Sequence, residues 1–512
     1  MYDYTYTQKQ KNTVRHLALS RAVELLTTDR SQSCCVPRTY VRQVIDYFLQ
    51  QDSSEQVYKE TKEIEPQYVI RWENLHDSFI GSRRPADLSV CYLSGPQPQN
   101  DFKELISLGI LPQNIWAFES NQSAYQQAVK QYNELEFPQP KIVKMPIEHF
   151  FRYTPKKFDI VYLDACGSIF SSQHALRCVS SLFYYQRLQP LGVLITNFAK
   201  PDIKKADELR KYSGIIALYY LFKQSPNLQL SISNGTLQLA GFEDIYQEIV
   251  ASFNKYYGSF ITSILSDMPS IIIPLQRFGE MAQYSNLFTN EEVRNYKSQA
   301  DLDEINSIRY DSTCRFILAL KWIATHTNQV DTCFSAADLF LHELVGINGN
   351  AEMLIKGIML YSGLKSGTLG NRSEIEEIRS HFNNKGLMYQ FLDNVNPSLF
   401  FDIVINQLAY PMHSNTAQIN SYCYCAKQTD MYTDVLVFDE CRYIYEWPPA
   451  IHQIKIMISN KSWQYIFRFA LDALVKQRIN YSNEFFFQGS VISKNEKNFS
   501  AKIRADRRIV EE

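Results

Sequence analysis

The chain has 512 residues, 45% of them hydrophobic and 21% charged. That length exceeds one compact core, and the composition is ordinary for a soluble globular protein of roughly two to four domains. With 52 Lys and Arg against 54 Asp and Glu, the formal charge is −2, so no global field gathers polyanions and nucleic-acid binding needs a local basic face.

In chain order, the opening Met-Tyr-Asp-Tyr-Thr-Tyr lacks the basic and then apolar build of a signal peptide. Val14, Leu17, Ala18, Ala22, Leu25 and Leu26 recur at helical spacing, and Val41, Val44, Ile45 and Phe48 repeat the pattern after Pro37. Residues 51–63 are polar and read as a surface loop or exposed helix. Gly81-Ser-Arg-Arg-Pro-Ala-Asp87 has the turn chemistry of a boundary. Residues 1–84 therefore read as a helical N-terminal unit.

From 88 to 200 strands and helices alternate. Strands are expected at Leu88–Leu93, Asn114–Phe118, Lys141–Met145, Phe158–Leu163 and Leu191–Phe198. Helices are expected at Asp101–Leu108, capped by Asn100 or Asp101, then at Gln122–Leu135, Ser172–Arg187 and Asp202–Phe222. Such alternation argues for a doubly wound, mostly parallel α/β sheet of Rossmann type over 85–225. In that architecture ligands bind outside the carboxyl ends of the strands. Phe158-Asp-Ile-Val-Tyr-Leu-Asp164, followed by Ala-Cys-Gly-Ser168, is a strand that ends on an acid and breaks into a small-residue turn at that edge. Glu119 follows the second strand, where an acid accepts hydrogen bonds from ribose hydroxyls.

Residues 226–512 read as an α+β or mainly helical C-terminal region. Helical periodicity covers 242–265, 313–326, 336–345 and 461–477, and short apolar runs at Ile271–Pro274, Phe401–Ile405, Asp434–Phe438 and His452–Ile458 are strand candidates. The alternation from Tyr422 to Tyr443 reads as a hairpin, or as a substrate face with Lys427, Arg442 and tyrosines for base stacking. Ten cysteines without a CxxC pair read as reduced intracellular thiols. His413, Cys423, Cys425, Asp439, Cys441 and His452 bring metal-binding types together. Cys-x-Cys equally suits alternate positions on a strand, so core thiols and no metal are expected. No apolar run is expected to reach the ~18 residues of a membrane span, and the protein is placed in the cytoplasm. Basic candidates are Lys200, Lys204, Lys205, Arg210 and Lys211, and the tail Lys502, Arg504, Arg507 and Arg508. Both groups are interrupted by acids and read first as solvated faces. The aromatic share of 13% reads first as packing.

On Tyr92-Leu-Ser-Gly-Pro96 and Asp164-Ala-Cys-Gly-Ser168, residues 88–200 resemble the class I S-adenosylmethionine-dependent methyltransferase fold. The local likeness is to the tRNA guanine-N2 dimethyltransferase type. The resemblance implies S-adenosylmethionine as cofactor, with contacts at Leu93, Ser94 and Gly95, the ribose at Glu119 and Ser120, and the adenine edge at Pro146, Ile147 and Glu148. Asp164 would stand at the methyl-transfer pocket, with Asp164, His149 or His174 as candidate bases. A macromolecular acceptor is implied, nucleic acid first, through local basic and aromatic surfaces. The alternative is an inactive methyltransferase-like scaffold with protein partners. The departures are Pro96 and Pro98, which remove two N–H donors from the first loop, and Ala165-Cys166 where the family has a Pro-aromatic pair.

Overall fold

The computed structural model describes residues 9–134, 141–165, 167–171, 174–225, 228–233, 236–281, 303, 305–306, 312–326, 332–347, 351–366, 405–448, 459–477, 503–504 and 507–511. Five strands, β1 (Val90–Leu93), β2 (Ile115–Phe118), β3 (Lys141–Val143), β4 (Phe158–Asp164) and β5 (Leu188–Ala199), pair in parallel in the order β3-β2-β1-β4-β5. Six of the seven residues of β4 are buried, as a parallel strand covered on both faces requires. The fold is α/β and Rossmann-like, with each strand near its expected place.

The sheet does not stop at β5. After a small hairpin, β6 (Leu230–Ser233) and β7 (Thr236–Leu239), three strands and a short bridge from the C-terminal part join the main sheet. β10 (Thr429–Asp439) runs antiparallel to β5, from Met431 opposite Ala199 to Asp439 opposite Leu191. β9 (Asn420–Ala426) completes the expected hairpin with β10, β8 (His413–Ser414) pairs with the end of β10, and β11 (Arg508–Ile509) adds to β9 in parallel. The main sheet thus has nine strands among the described residues, drawn from both sides of the boundary at 225.

The helices are α1 (Lys9–Leu26), α2 (Arg30–Ser33), α3 (Tyr40–Leu49), α4 (Gln56–Lys62), α5 (Pro66–Ile80), α6 (Gln99–Ser107), α7 (Gln122–Asn133), α8 (Ile147–Tyr153), α9 (Ala175–Tyr184) and α10 (Ala206–Gln224), with further helices beyond 241. α1 buries Val14, Ala18, Leu19, Ala22 and Val23 and packs on β5, β9 and β10, beside α6. It therefore lies across the sheet. The tyrosines pack: Tyr219, Tyr220, Tyr256 and Tyr257 are fully buried. Their hydroxyls donate to Asp267 at 2.7 Å, Ser259 at 2.8 Å, Glu248 and the Ala199 carbonyl at 2.8 Å respectively. Buried tyrosines need such partners.

Two expectations fail and two segments fall outside view. Ile271–Pro274 is helical: helix Phe253–Asp267 passes through a π-turn at Met268–Ile272 into helix Ile273–Glu280. Pro269, which cannot donate an N–H, accounts for the altered turn. The continuous helical stretch Phe253–Glu280 is also long and apolar enough to cross a membrane, contrary to the reading of the sequence. Its most apolar window is 94% buried inside the fold, which explains the composition by packing. Of Phe401–Ile405, residues 401–404 lie outside the described residues, and 405–409 are helical. His452–Ile458, Cys166 and Lys502 also lie outside them.

Candidate binding site at the carboxyl edge of the sheet

β1 has β2 on one side and β4 on the other. The strand order reverses there, and the loops leaving the two strands part to open a crevice. A cavity of about 590 Å³ occupies that edge, within the range of small-molecule sites. Leu93 at the end of β1, Ser94 and Gly95 after it, Glu119 and Ser120 after β2, Ile147 and Glu148 at the start of α8, and Asp164 at the end of β4 all line it. Every residue expected to contact a cofactor is therefore brought to one cavity.

The first loop turns at Gly95, whose φ of +55° is left-handed and whose missing Cβ faces open space. A side chain there would be strained and would narrow the site. Pro96 and Pro98 follow, and α6 begins at Gln99 with Pro98 as its cap, two residues earlier than expected. Asp101 is thus no cap: it lies in the first turn, buried. The prolines line the loop without filling the cavity. After β2, Glu119 Oε1 accepts from the Asn121 N–H at 2.7 Å, and Asn121 caps α7 by accepting from Ala124 N at 3.0 Å. Glu119 Oε2 makes no hydrogen bond among the described residues. Glu148 is committed elsewhere, to Arg177 at 2.9 Å and the Cys178 thiol at 2.8 Å.

α1 contributes two residues that the reading of the sequence did not single out. Lys11 and Arg15, four apart and so on one helix face, both line the cavity. Lys11 Nζ lies 2.7 Å from Asp164 Oδ2, and Arg15 Nε lies 2.6 Å from Asp101 Oδ1. The signal available in the sequence was slight: two cations flanking Val14 on a stripe otherwise apolar. Asp164 Oδ1 also accepts from Asn197 Nδ2 at 2.7 Å, and Asn197 is held in turn by Thr433 of β10 and Tyr424 of β9. Burial disfavours the Asp164 charge, but Lys11 and Asn197, with Arg15 beyond, outweigh it and hold the carboxyl below its ordinary value. For Asp101 burial wins over Arg15, the Asp164 charge adds to it, and the pKa is pushed up to about 6.

The histidines stand apart. His149 is not among the cavity's lining residues, and its ring lies beside Tyr153 at 6.4 Å. His174 meets Glu343 at 2.6 Å and does not line the cavity either. The basic candidates are largely paired: Lys200 with Asp430, Lys205 with Asp202, Lys211 with Glu208, and Arg507 with buried Asp434. In the hairpin, Tyr422, Tyr424 and Tyr432 are buried, and just beyond it Arg442 is buried too and meets Glu446 at 2.6 Å. They serve the core there rather than a stacking surface.

No protein-family model matches the chain, and no curated protein matches it in sequence. Among solved structures it is similar to one described as a possible exported protein from Bordetella parapertussis, with 13% identity over 40% of this chain and 76% of that one, at a TM-score of 0.18. A likeness at that level carries no argument about function.

Proposed function

We propose that the chain binds S-adenosylmethionine in this cavity and transfers its methyl group to a hydroxyl of a macromolecular acceptor, with RNA the first class to test. One observation carries the reading. The first loop, the acid after β2, the start of α8 and the acid after β4 line a single nucleoside-sized cavity. The residues fit the group. Glu119 keeps one oxygen for ribose hydroxyls, and Gly95 leaves room where a side chain would intrude. The two N–H donors lost at Pro96 and Pro98 would be replaced by Arg15 and Asp101, a pair of opposite charges lining the cavity that suits a zwitterionic amino-acid tail.

The bound cofactor supplies an electrophilic methyl carbon, so the protein's part is alignment of the acceptor. Asp164, gripped by an ammonium and an amide, is a poor base; its role here is to anchor Lys11. Lys11 then offers N–H donors to the oxygen of an acceptor hydroxyl: its proton passes to solvent, Lys11 stabilises the alkoxide left behind, and that oxygen would take the methyl as the S–CH3 bond breaks and S-adenosylhomocysteine leaves. An amine acceptor attacks through its neutral lone pair and gains positive charge, which the Lys11 ammonium disfavours, and no Pro-aromatic pair is present to orient one.

Binding without transfer is the competing reading, favoured by the proline-containing loop. Calorimetry with S-adenosylmethionine and S-adenosylhomocysteine on the full chain tests the first step. Binding is expected, and Glu119→Ala weakens it by about tenfold or more, as expected for a lost charged hydrogen bond. No binding by the wild type would overturn the proposal. Labelled-methyl transfer to total RNA, DNA and protein tests the second. Transfer is expected to be lost in Lys11→Met while S-adenosylhomocysteine still binds. Cofactor binding without any transfer would leave the scaffold.

A further inference from the structure

Away from the cavity, the turn after α2 meets the end of β10. Cys35, Asp439 and Cys441 place one ligand atom each within 4.8 Å of one another, and all three are buried. The two sulfurs are in hydrogen-bonding reach of each other. Asp439 Oδ2 accepts from the Cys35 N–H at 2.9 Å and the Tyr443 hydroxyl at 2.6 Å, and Oδ1 accepts from the Cys441 N–H at 2.8 Å. A carboxylate has about four lone-pair sites. Three are used, and the one left is on Oδ1. Among the described residues Asp439 makes no ion pair with any Lys or Arg, although a buried carboxylate ordinarily requires a cation.

We infer that Cys35, Asp439 and Cys441 bind a structural zinc ion. Two sulfurs and one carboxylate oxygen from chain segments some four hundred residues apart form a donor set that suits zinc rather than calcium or magnesium. Binding releases the two thiol protons to solvent, and the ion supplies the cation that Asp439 lacks. The thiol contact from Cys35 to the His413 carbonyl, at 3.3 Å, is given up in exchange. Tyr443, whose hydroxyl lies 3.7 Å from the Cys441 sulfur, is a further oxygen at the same centre. The ion would pin the segment that follows α1 and α2 to the sheet, and so the helix that carries Lys11 and Arg15.

The test uses the full chain purified under reducing conditions. Elemental analysis is expected to find about one zinc per chain. Cobalt substitution should give a thiolate charge-transfer band in the near ultraviolet. Cys35→Ser and Cys441→Ser should each cut metal content several-fold, whereas Cys425→Ser, on β9, should leave it unchanged. Should the serine variants fail to fold, the cobalt spectrum and a chelator-induced fall in the wild-type melting temperature still decide. A metal-free wild type that takes up neither zinc nor cobalt overturns the inference, as does a Cys35–Cys441 disulfide found by mass spectrometry in the freshly folded protein.

Discussion

Asp101 and Asp164 face the same cavity from α6 and β4, and their surroundings push them in opposite directions. Burial dominates at Asp101 and raises it from 3.8 to about 6. At Asp164 the Lys11 ammonium prevails and the pKa falls. The sign of the pH effect follows. An acid raised in the folded state binds more protons folded than unfolded between about 4 and 6, so its contribution to stability falls as pH climbs through that window. Asp164 acts oppositely: its contribution is present above its unfolded pKa and is lost only as pH falls through its lower folded value. Asp101→Asn, which mimics the protonated acid, is therefore expected to gain on wild type from pH 4 to pH 7, on the order of 1–3 kcal/mol. Urea unfolding at several pH values measures this, and a difference constant with pH would refute it. At this scale the sequence showed Glu119 and Asp164 because each ends a strand, a local pattern. It could not show Lys11 or Arg15 as their neighbours, because only the packing of α1 across the sheet brings those cations to the cavity.

Packing between elements depends on glycines that periodicity does not reveal. Helix Ile273–Glu280 crosses helix Ala351–Ser366 so closely that a Cβ on Gly279 would stand 2.1 Å from the Met353 carbonyl oxygen, and one on Gly357 would stand 1.9 Å from that of Leu275. Alanine is the better helix former by about 1 kcal/mol. Backbone atoms cannot swing aside as a side chain can, so overpacking of about 1–3 kcal/mol or more should prevail. Gly357→Ala is expected to lower the midpoint of chemical unfolding, and a stabilised variant would show that the crossing is looser than described. The same element-level logic separates what was legible from what was not. β1 to β5 and their helices carry alternation that local chemistry writes directly. Ile271–Pro274 carries an apolar run with no such alternation. A buried strand and a buried helix look alike in so short a run, and Pro269 disguised the helix further.

At the scale of the whole molecule, the central sheet is a joint product of distant parts of the chain. β5 has β4 on one edge and β10 on the other, paired at every position from Leu191 to Ala199, and nine of its twelve residues are continuously buried. No pattern within 85–225 announces that β5 is an interior strand, since its partner lies beyond residue 428 and the pairing is long-range. The physical consequence concerns autonomy. Cut out at 85–225, the segment exposes a long apolar edge of unpaired N–H and C=O groups, the arrangement most prone to intermolecular pairing. It also loses α1, which strips Arg15 from buried Asp101 and Lys11 from Asp164. Removing one partner of a buried pair costs about 3–5 kcal/mol, against a total stability of about 5–15 kcal/mol for a typical protein. The fragment 85–225 is therefore expected to aggregate or to unfold without a cooperative transition, while the full chain melts cooperatively with its sheet intact. Adding α1 alone, as 9–225, restores the cations but not the edge, and should remain aggregation-prone. Supplying residues 405–511 in trans should improve solubility, because that piece carries β9, β10 and β11. Circular dichroism and size-exclusion chromatography read both outcomes. A monomeric fragment 85–225 with a sharp melt would mean that the five parallel strands hold together without the hairpin, and that α1 is a cover on a finished domain rather than part of its core.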